Sequence, residues 1–582
     1  MSTKFDLYRS AAPPLPEQSW AWNMYGAGLE NIGRDGQPEP APIPKPGPDQ
    51  LLVRVDAVGM CFSDVKLIKQ GGQHPKLYNR DLATEPTRLG HEAALTVIEV
   101  GEQLRDRFQP GQRLALQPDI YVEGKSTAYG YTVPGGLTQY HLIGPEVLEA
   151  DGKCYVLPFA GDLGYAETAL TEPWACVEAA YTQRRRLTPK AGGLMWLVGR
   201  PGDDAPYRFS PELAVAQTIV VTDLPAALLD QIRPAAAQAG ATLIERNGLT
   251  PADYPALKAE LTGGTGFDDI IVLDPRSAGA VGEAAKLIAR RGTFNMVGRE
   301  PLDDQVQVDV GRIHYDYTAY LGNPGPDLTA SYGEARNRCD LQPGGVALFI
   351  GAGGPMGQMH VQRAIELPEG PRLIIATDVN TERLTAIEAR FAGLAEAHQT
   401  RLVTFNAADA AESLPAVVLR LTEGRGADDV IVSVPVASIM AEAATLMTPD
   451  GMLVLFAGVP NGSYAPLNLS HVYLHNAQFT GTSGSTLEDQ ATVIDKTLAG
   501  KLSPNRSVAA IGGIEAARDG VEAMMEGRYP GKVVIFPQVS GLPLTGVSQL
   551  KTTLPEVAAR LAPNEVWTPE AEQALIERFW SS

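Results

Sequence analysis

The apolar positions of this 582-residue chain fall into two textures. Between residues 51 and 160 they form short runs, LLVRVDAVG, AALTVIEVG, QRLAL and YVLPF, broken by Gly and Pro. Such runs predict the strands of a compact, mostly β domain, with Gly101, Gly111, Gly135 and Gly136 at its turns. A proline-rich connector, Gln37 to Pro48, favours extended chain and leads into the first run. From about residue 188 the texture changes to β-runs alternating with amphipathic helical stretches, which predicts a parallel, doubly wound sheet.

The second texture occurs twice. Ala-Gly-Gly-Leu-Met-Trp-Leu-Val-Gly at 191–199 matches Pro-Gly-Gly-Val-Ala-Leu-Phe-Ile-Gly at 343–351, and Thr-Ile-Val-Val-Thr-Asp at 218–223 matches Leu-Ile-Ile-Ala-Thr-Asp at 373–378. Residues 261–272 parallel 421–432, and Pro275, Gly298 and His314 have counterparts in Pro435, Gly458 and His475. A period of roughly 150 to 160 residues is too long for a solenoid, so each copy is a whole domain. After the second copy, residues 500 to 540 return to β-type texture. Thr568 as N-cap, Pro569, and Ala571, Leu575, Ile576 and Phe579 at helical spacing predict a closing helix with a core-facing stripe. The expected plan is a β domain over 1–187, Rossmann-like domains over 188–339 and 340–499, and a return to the first domain over 500–582.

Copy two carries a glycine loop. Phe349-Ile350 ends a strand, Gly351-Ala352-Gly353-Gly354-Pro355-Met356-Gly357 turns, and Gln358 to Glu366 continues as a helix. Glycines let the backbone turn sharply and bring a pyrophosphate to the amides at the helix start. Asp378, the 21st residue after Gly357, ends the next β-run, where a carboxylate accepts from ribose hydroxyls. Arg383 is grouped with these cofactor-binding positions. The spacing Gly-x-Gly-x-x-x-Gly is one residue longer than the usual fingerprint. At the same place copy one has Gly199-Arg200-Pro201-Gly202-Asp203-Asp204-Ala205. Its bulk, its missing Pro amide and its two aspartates argue against a pyrophosphate there, although Asp223 persists at the ribose position.

The β domain carries a second kind of chemistry. Cys-Phe-Ser-Asp at 61–64 follows the run ending at Val58, and Leu-Gly-His-Glu at 89–92 precedes the run from Ala93. A lone Cys is more often a small core residue than a ligand. Together Cys61, His91 and Glu92 offer the thiolate, imidazole and carboxylate that suit Zn2+ with one position open. Thr-Glu-Pro at 171–173 starts a helix with Pro173 in its first turn, placing a fourth candidate, Glu172, at its mouth.

Composition narrows the partners. The 68 acidic against 48 basic residues give a net charge of −20, which repels nucleic acid and anionic membranes. Cys61, Cys154, Cys176 and Cys339 are too few and scattered for a disulfide framework, and the N-terminus lacks the apolar core of a signal peptide. No stretch approaches the ~20 apolar residues of a membrane span. A cytoplasmic enzyme acting on a small molecule is expected.

These motifs resemble the zinc-dependent medium-chain dehydrogenase/reductase superfamily, within it the sorbitol dehydrogenase and sorbose-1-phosphate reductase group, over about residues 20–187 and 340–540. The resemblance implies a GroES-like β domain and a Rossmann domain flanking a cleft, in a homo-oligomer. It makes Cys61, His91 and Glu92 zinc ligands, Glu172 a ligand directly or through water, Ser63 the hydroxyl relaying the substrate proton, and Asp64 a supporting partner. It implies hydride transfer between NAD, in preference to NADP, and a secondary alcohol or ketone of the polyol or sugar type, free or phosphorylated. Lys66, Lys69 and Lys76 are candidate phosphate partners. The alternative is an inactive sensor or scaffold that keeps both sites. The chain departs from the family pattern in three ways. Lys66 stands where a proton-relay His is usual, about residues 115–135 hold no cysteine for a second, structural zinc, and a second Rossmann-like copy is present.

Overall fold

The computed structural model describes residues 3–11, 15–408 and 412–580. The chain forms two compact units, one of residues 1–179, 354–359 and 484–582, the other of 180–353 and 360–483. The sequence reading drew the corresponding boundaries at 187/188 and 499/500. Helix Leu487–Leu498 belongs to the first unit, where Gln490 Nε2 donates to Thr171 Oγ1 and to the Leu116 carbonyl, both at 3.0 Å.

In the first unit, strand Leu51–Gly59 is the spine of an eight-stranded sheet. It is buried along its whole length, which explains its nearly continuous apolar sequence. Its two charged residues are neutralised internally. Arg54 Nε lies 2.7 Å from Asp56 Oδ1, while Tyr8 and Thr96 each donate a hydroxyl to Asp56 at 2.6 Å. Glu92–Val100 pairs antiparallel on one side, Lys532–Phe536 and Tyr140–Ile143 also pair antiparallel with the spine, and Arg113–Leu116 extends the sheet beyond Glu92–Val100. Antiparallel pairing carries the C-terminal end of the spine to the N-terminal ends of two partners. Gly59 lies opposite Glu92 and also opposite Val534, although about 440 residues of chain separate the two flanking strands.

The second unit holds two six-stranded parallel sheets. In space, copy one runs Thr242–Glu245, Thr218–Thr222, Leu194–Val198, Phe267–Leu273, Ile288–Val297 and Ala319–Asn323. Copy two runs Arg401–Asn406, Leu373–Asp378, Val346–Ile350, Ala427–Val432, Met447–Leu455 and Gln478–Gly481. Both have the 3-2-1-4-5-6 order of the doubly wound fold, so the fold class expected from the duplication is the one observed. One hydrophobic cluster runs through both copies, and an antiparallel ribbon joins them, Val306 opposite Leu467 through Asp309 opposite Tyr464. Their last strands meet reciprocal neighbours. Any side chain on Gly322 would strike Tyr473, and one on Gly481 would press on His314.

The closing helix, Pro569–Phe579, forms as expected, with Thr568 Oγ1 accepting from the Ala571 amide at 3.0 Å. Ala571, Leu575 and Ile576 are buried and Phe579 partly so. Its Glu572 caps another helix, Tyr165–Ala169, accepting from the Tyr165 and Ala166 amides at 2.6 and 2.8 Å. Glu167 on that helix is pushed up to about 7, first by burial and then by Glu572.

Because the unfolded carboxyl titrates near ~4.3, the folded protein holds the extra proton between there and about 7. This contribution to stability is complete at pH 4 and is lost as pH rises through 7. Glu167→Gln should flatten the fall in melting temperature between pH 5 and 8, measured by scanning calorimetry; an unchanged slope refutes the assignment.

Candidate metal and dinucleotide sites

Four segments build the first site. The spine strand ends at Gly59, and helix Phe62–Gln70 starts immediately after Cys61. Asp64 fixes that helix start, its Oδ2 accepting from the Cys61 amide at 3.0 Å. The same carboxylate reaches His91, with Oδ1 3.3 Å from Nδ1. At this distance His91 Nδ1 still lacks a hydrogen bond among the described residues, so the carboxylate acts on the ring through its charge. Glu92 opens the neighbouring strand, and Glu172 lies in the first turn of helix Thr171–Ala179, as read from Thr-Glu-Pro.

Ligand atoms of Cys61, His91 and Glu92 all lie within 4.8 Å of one another, the only such cluster of three His, Cys, Asp or Glu side chains among the described residues. Glu92 Oε1 pairs with Lys532 Nζ at 2.5 Å, both side chains being buried. Its Oε2 is buried with no hydrogen-bond partner among the described residues. Gly59 makes room for this carboxylate, since a Cβ there would stand 2.1 Å from Oε2. A thiolate, an imidazole beside a carboxylate, and a buried oxygen without a partner among the described residues fit a borderline dication such as zinc.

Glu172 lies in the same electrostatic neighbourhood, outside the cluster of three. Burial pushes its carboxyl up to about 8, with His91 drawing it down and Glu92 and Asp119 pushing it up. Ser63 Oγ is 3.5 Å from Cys61 Sγ. Lys66 and Lys69 are exposed, whereas Lys76 Nζ meets Asp119 at 3.1 Å and lies 4.7 Å from the centre of the Tyr131 ring. That ring is 5.9 Å from the His91 ring.

Sequence reasoning missed Lys532, Asp119 and Tyr131. Lys532 sits in an ordinary strand, GKVVIF, and reaches Glu92 only through the strand pairing. No local signal marks it. Asp119 and Tyr131 sit among turns, and only the tertiary fold brings them to this neighbourhood.

In the second unit Asp378 ends its strand and gathers the glycine loop. Oδ2 accepts from the Gly353 amide at 2.9 Å, and Oδ1 from the amides of Val379 and Asn380 at 2.8 and 3.0 Å. A Cβ on Gly353 would lie 2.7 Å from both Asp378 Oδ2 and Arg383 Cβ, so this position accepts only glycine without displacement. The loop's other predicted residues, Gly351, Gly354, Pro355, Met356 and Gly357, follow strand Val346–Ile350, with helix Pro355–Glu366 beginning inside the motif. In copy one no α-helix follows the corresponding strand, and the next helical segment is the 3-10 turn Pro211–Val215. Arg200 is bound to Asp274 at 2.5 Å, and Asp203 accepts from the Tyr207 hydroxyl at 2.8 Å. Of the residues that argue against a pyrophosphate there, Arg200 and Asp203 are held in these contacts.

The chain belongs to the zinc-dependent medium-chain alcohol dehydrogenase family. Residues 47–155 match the alcohol dehydrogenase GroES-like domain, and residues 355–499 match the zinc-binding dehydrogenase domain. Among its relatives are the mannitol-1-phosphate 5-dehydrogenase of Aliivibrio fischeri, 23% identical over 92% of this chain and 94% of that protein, and the L-sorbose 1-phosphate reductase of Klebsiella pneumoniae, 23% identical over 93% and 95%. The uncharacterized protein YggP of Escherichia coli is 31% identical over 49% of this chain and 70% of its own length.

Removing one partner of a buried ion pair costs about 3–5 kcal/mol. Lys532→Met should therefore destabilise the metal-free protein by that order and weaken zinc binding about 10- to 100-fold, read by urea denaturation and by competition with a chromophoric chelator. Wild-type values in both would show that Lys532 does not support Glu92.

Proposed function

We propose that this protein is a zinc-dependent oxidoreductase moving hydride between NAD(H) and a secondary alcohol or ketone of the polyol or sugar-phosphate class. The observation that carries this reading is the convergence of Cys61, His91 and Glu92, with Glu92 Oε2 buried and without a partner among the described residues. These three side chains would hold one zinc, with Glu172 beside them directly or through water. Bound zinc would supply a Lewis acid that lowers the pKa of a bound hydroxyl toward ~7.

The chain's residues do the remainder. Asp64 fixes the Cys61 backbone and places its charge beside the His91 ring, and Lys532 balances the Glu92 charge. Ser63 Oγ takes the proton from the substrate hydroxyl as the adjacent C–H bond breaks and its electron pair passes as hydride to the nicotinamide ring. Ketone, NADH and one proton result. Lys66, exposed on the same helix, stands where the family places the outer relay histidine, so in this reading the proton leaves Ser63 by another route to solvent.

Asp378 carries the cofactor preference. Its carboxylate accepts from a ribose 2'-hydroxyl and repels a 2'-phosphate. Two relatives named for 1-phosphate substrates support a phosphorylated polyol or ketose, and Lys76 is the candidate cation with a site-side environment. Homo-oligomeric assembly, to be sized by light scattering, and cytoplasmic residence belong to the same reading.

Metal analysis should find one zinc per chain, lost in Cys61→Ala; a full equivalent retained would move the site elsewhere. Asp378→Ser should narrow the ratio of kcat/KM for NAD over NADP, and equal use of both by the unaltered enzyme counts against Asp378. In a substrate screen following NADH absorbance, polyols or their phosphates should outrun simple primary alcohols. Calorimetry should find one NAD per chain, abolished by Gly353→Asp; two equivalents would make copy one a functional cofactor site.

A further inference from the structure

Copy one holds a cavity of about 320 Å3 at its seam with copy two, remote in sequence from the motifs above. A pocket of that size is at the small end of ligand sites. Lys258 and Arg312 face it. Lys258 has no carboxylate within ion-pair distance among the described residues; its Nζ meets only the Lys286 carbonyl, at 3.3 Å. Arg312 spends Nε on Asp316 at 2.7 Å and Nη2 on the Ile288 carbonyl at 2.7 Å, which leaves Nη1 without a partner among the described residues. Burial and the Arg312 guanidinium together hold Lys258 below its ordinary value. Of the three cations in the lining, Arg312 and Lys286 are paired with Asp316 and Glu283, which leaves Lys258 as the charge that an anion would neutralise.

The walls supply hydroxyls. Tyr320 is 6% exposed and its hydroxyl makes no hydrogen bond among the described residues; Thr318, 4% exposed, has a buried hydroxyl without a partner. The one carboxylate in the lining, Asp309, already accepts from the amides of Gly462 and Arg312 at 2.8 and 3.3 Å. Gly282 and Ala285 leave that side open.

Comparison of the copies shows that this polar lining is not a property of the fold. Lys258 corresponds to Val418 through the shared 261–272/421–432 motif, and helix ends and strand register match Lys286, Thr318 and Tyr320 to Thr445, Ala477 and Phe479. Copy two fills the equivalent positions with mostly apolar side chains, of which Val418 and Phe479 are buried. Copy one therefore carries cations and hydroxyls where the same scaffold has no need of them.

We infer that this cavity is a binding site for a small phosphate monoester, with Lys258 and Arg312 on the phosphate and the tyrosine and threonine hydroxyls completing its donors. A phosphate offers three strong acceptor oxygens, which match an ammonium, a guanidinium and neighbouring hydroxyls better than a carboxylate's two. The inference does not depend on the zinc or NAD assignments.

The test is calorimetric titration of the full chain, without NAD, using inorganic phosphate and glycerol 3-phosphate, with acetate as the carboxylate control. Saturable binding of the phosphates and not of acetate is expected, weakened about tenfold or more by Lys258→Met, as for loss of a charge-assisted hydrogen bond. Tyr320→Phe should weaken it less, and Lys76→Met in the other unit should leave it unchanged. Lys258 is partly exposed on its helix, and circular dichroism verifies that its variant is folded. Absence of saturable phosphate binding, preference for acetate, unaltered affinity in Lys258→Met, or loss of binding in Lys76→Met would each overturn the site.

Discussion

The candidate metal site depends on one register. Because strand Leu51–Gly59 is antiparallel to both Glu92–Val100 and Lys532–Phe536, its C-terminal end meets two N-terminal ends, and Cys61, Glu92 and Lys532 arrive together. A slip of one residue in a sheet turns every side chain to the opposite face. It would take Glu92 out of the cluster and leave Lys532 charged and alone in the core. The hydroxyl that Thr96 donates to Asp56 from the neighbouring strand works against such a slip, since the two meet only in this alignment, whereas Arg54 and Asp56 share one strand.

The buried Lys532–Glu92 pair has a second effect on the site. With Oε1 committed to the lysine, Glu92 offers one oxygen inward, while the Asp64 carboxylate lies 3.3 Å from His91 Nδ1. Orientation by neighbours lowers the cost of ordering ligands when a metal arrives.

Much of this was readable from the chain, and the unread part has a common cause. Cys61, His91 and Glu92 stand in short motifs next to apolar runs, and Asp378 stands at a spacing fixed by one strand–helix–strand unit, so local sequence carries them. The duplication was legible because the glycine and aspartate punctuation persists in both copies. Lys532 and Asp119 were not legible, because strand pairing and turn packing between distant segments place them, and neither leaves a local pattern. Lys258, on an amphipathic helix, reads in one dimension like any solvated lysine. Only the fold shows that Arg312 faces the same cavity.

The joining of the two Rossmann copies by an antiparallel ribbon and a common core has a consequence for how the molecule can change. In a symmetric homodimer every substitution is imposed on both halves at once, so an interface or pocket can be altered on one side only by altering it on the other. Here the halves are encoded separately and tethered, so their association does not depend on protein concentration. One half is free to lose its phosphate-binding turn while the other keeps it. The seam between them can become polar on one side alone, an asymmetry closed to two identical chains.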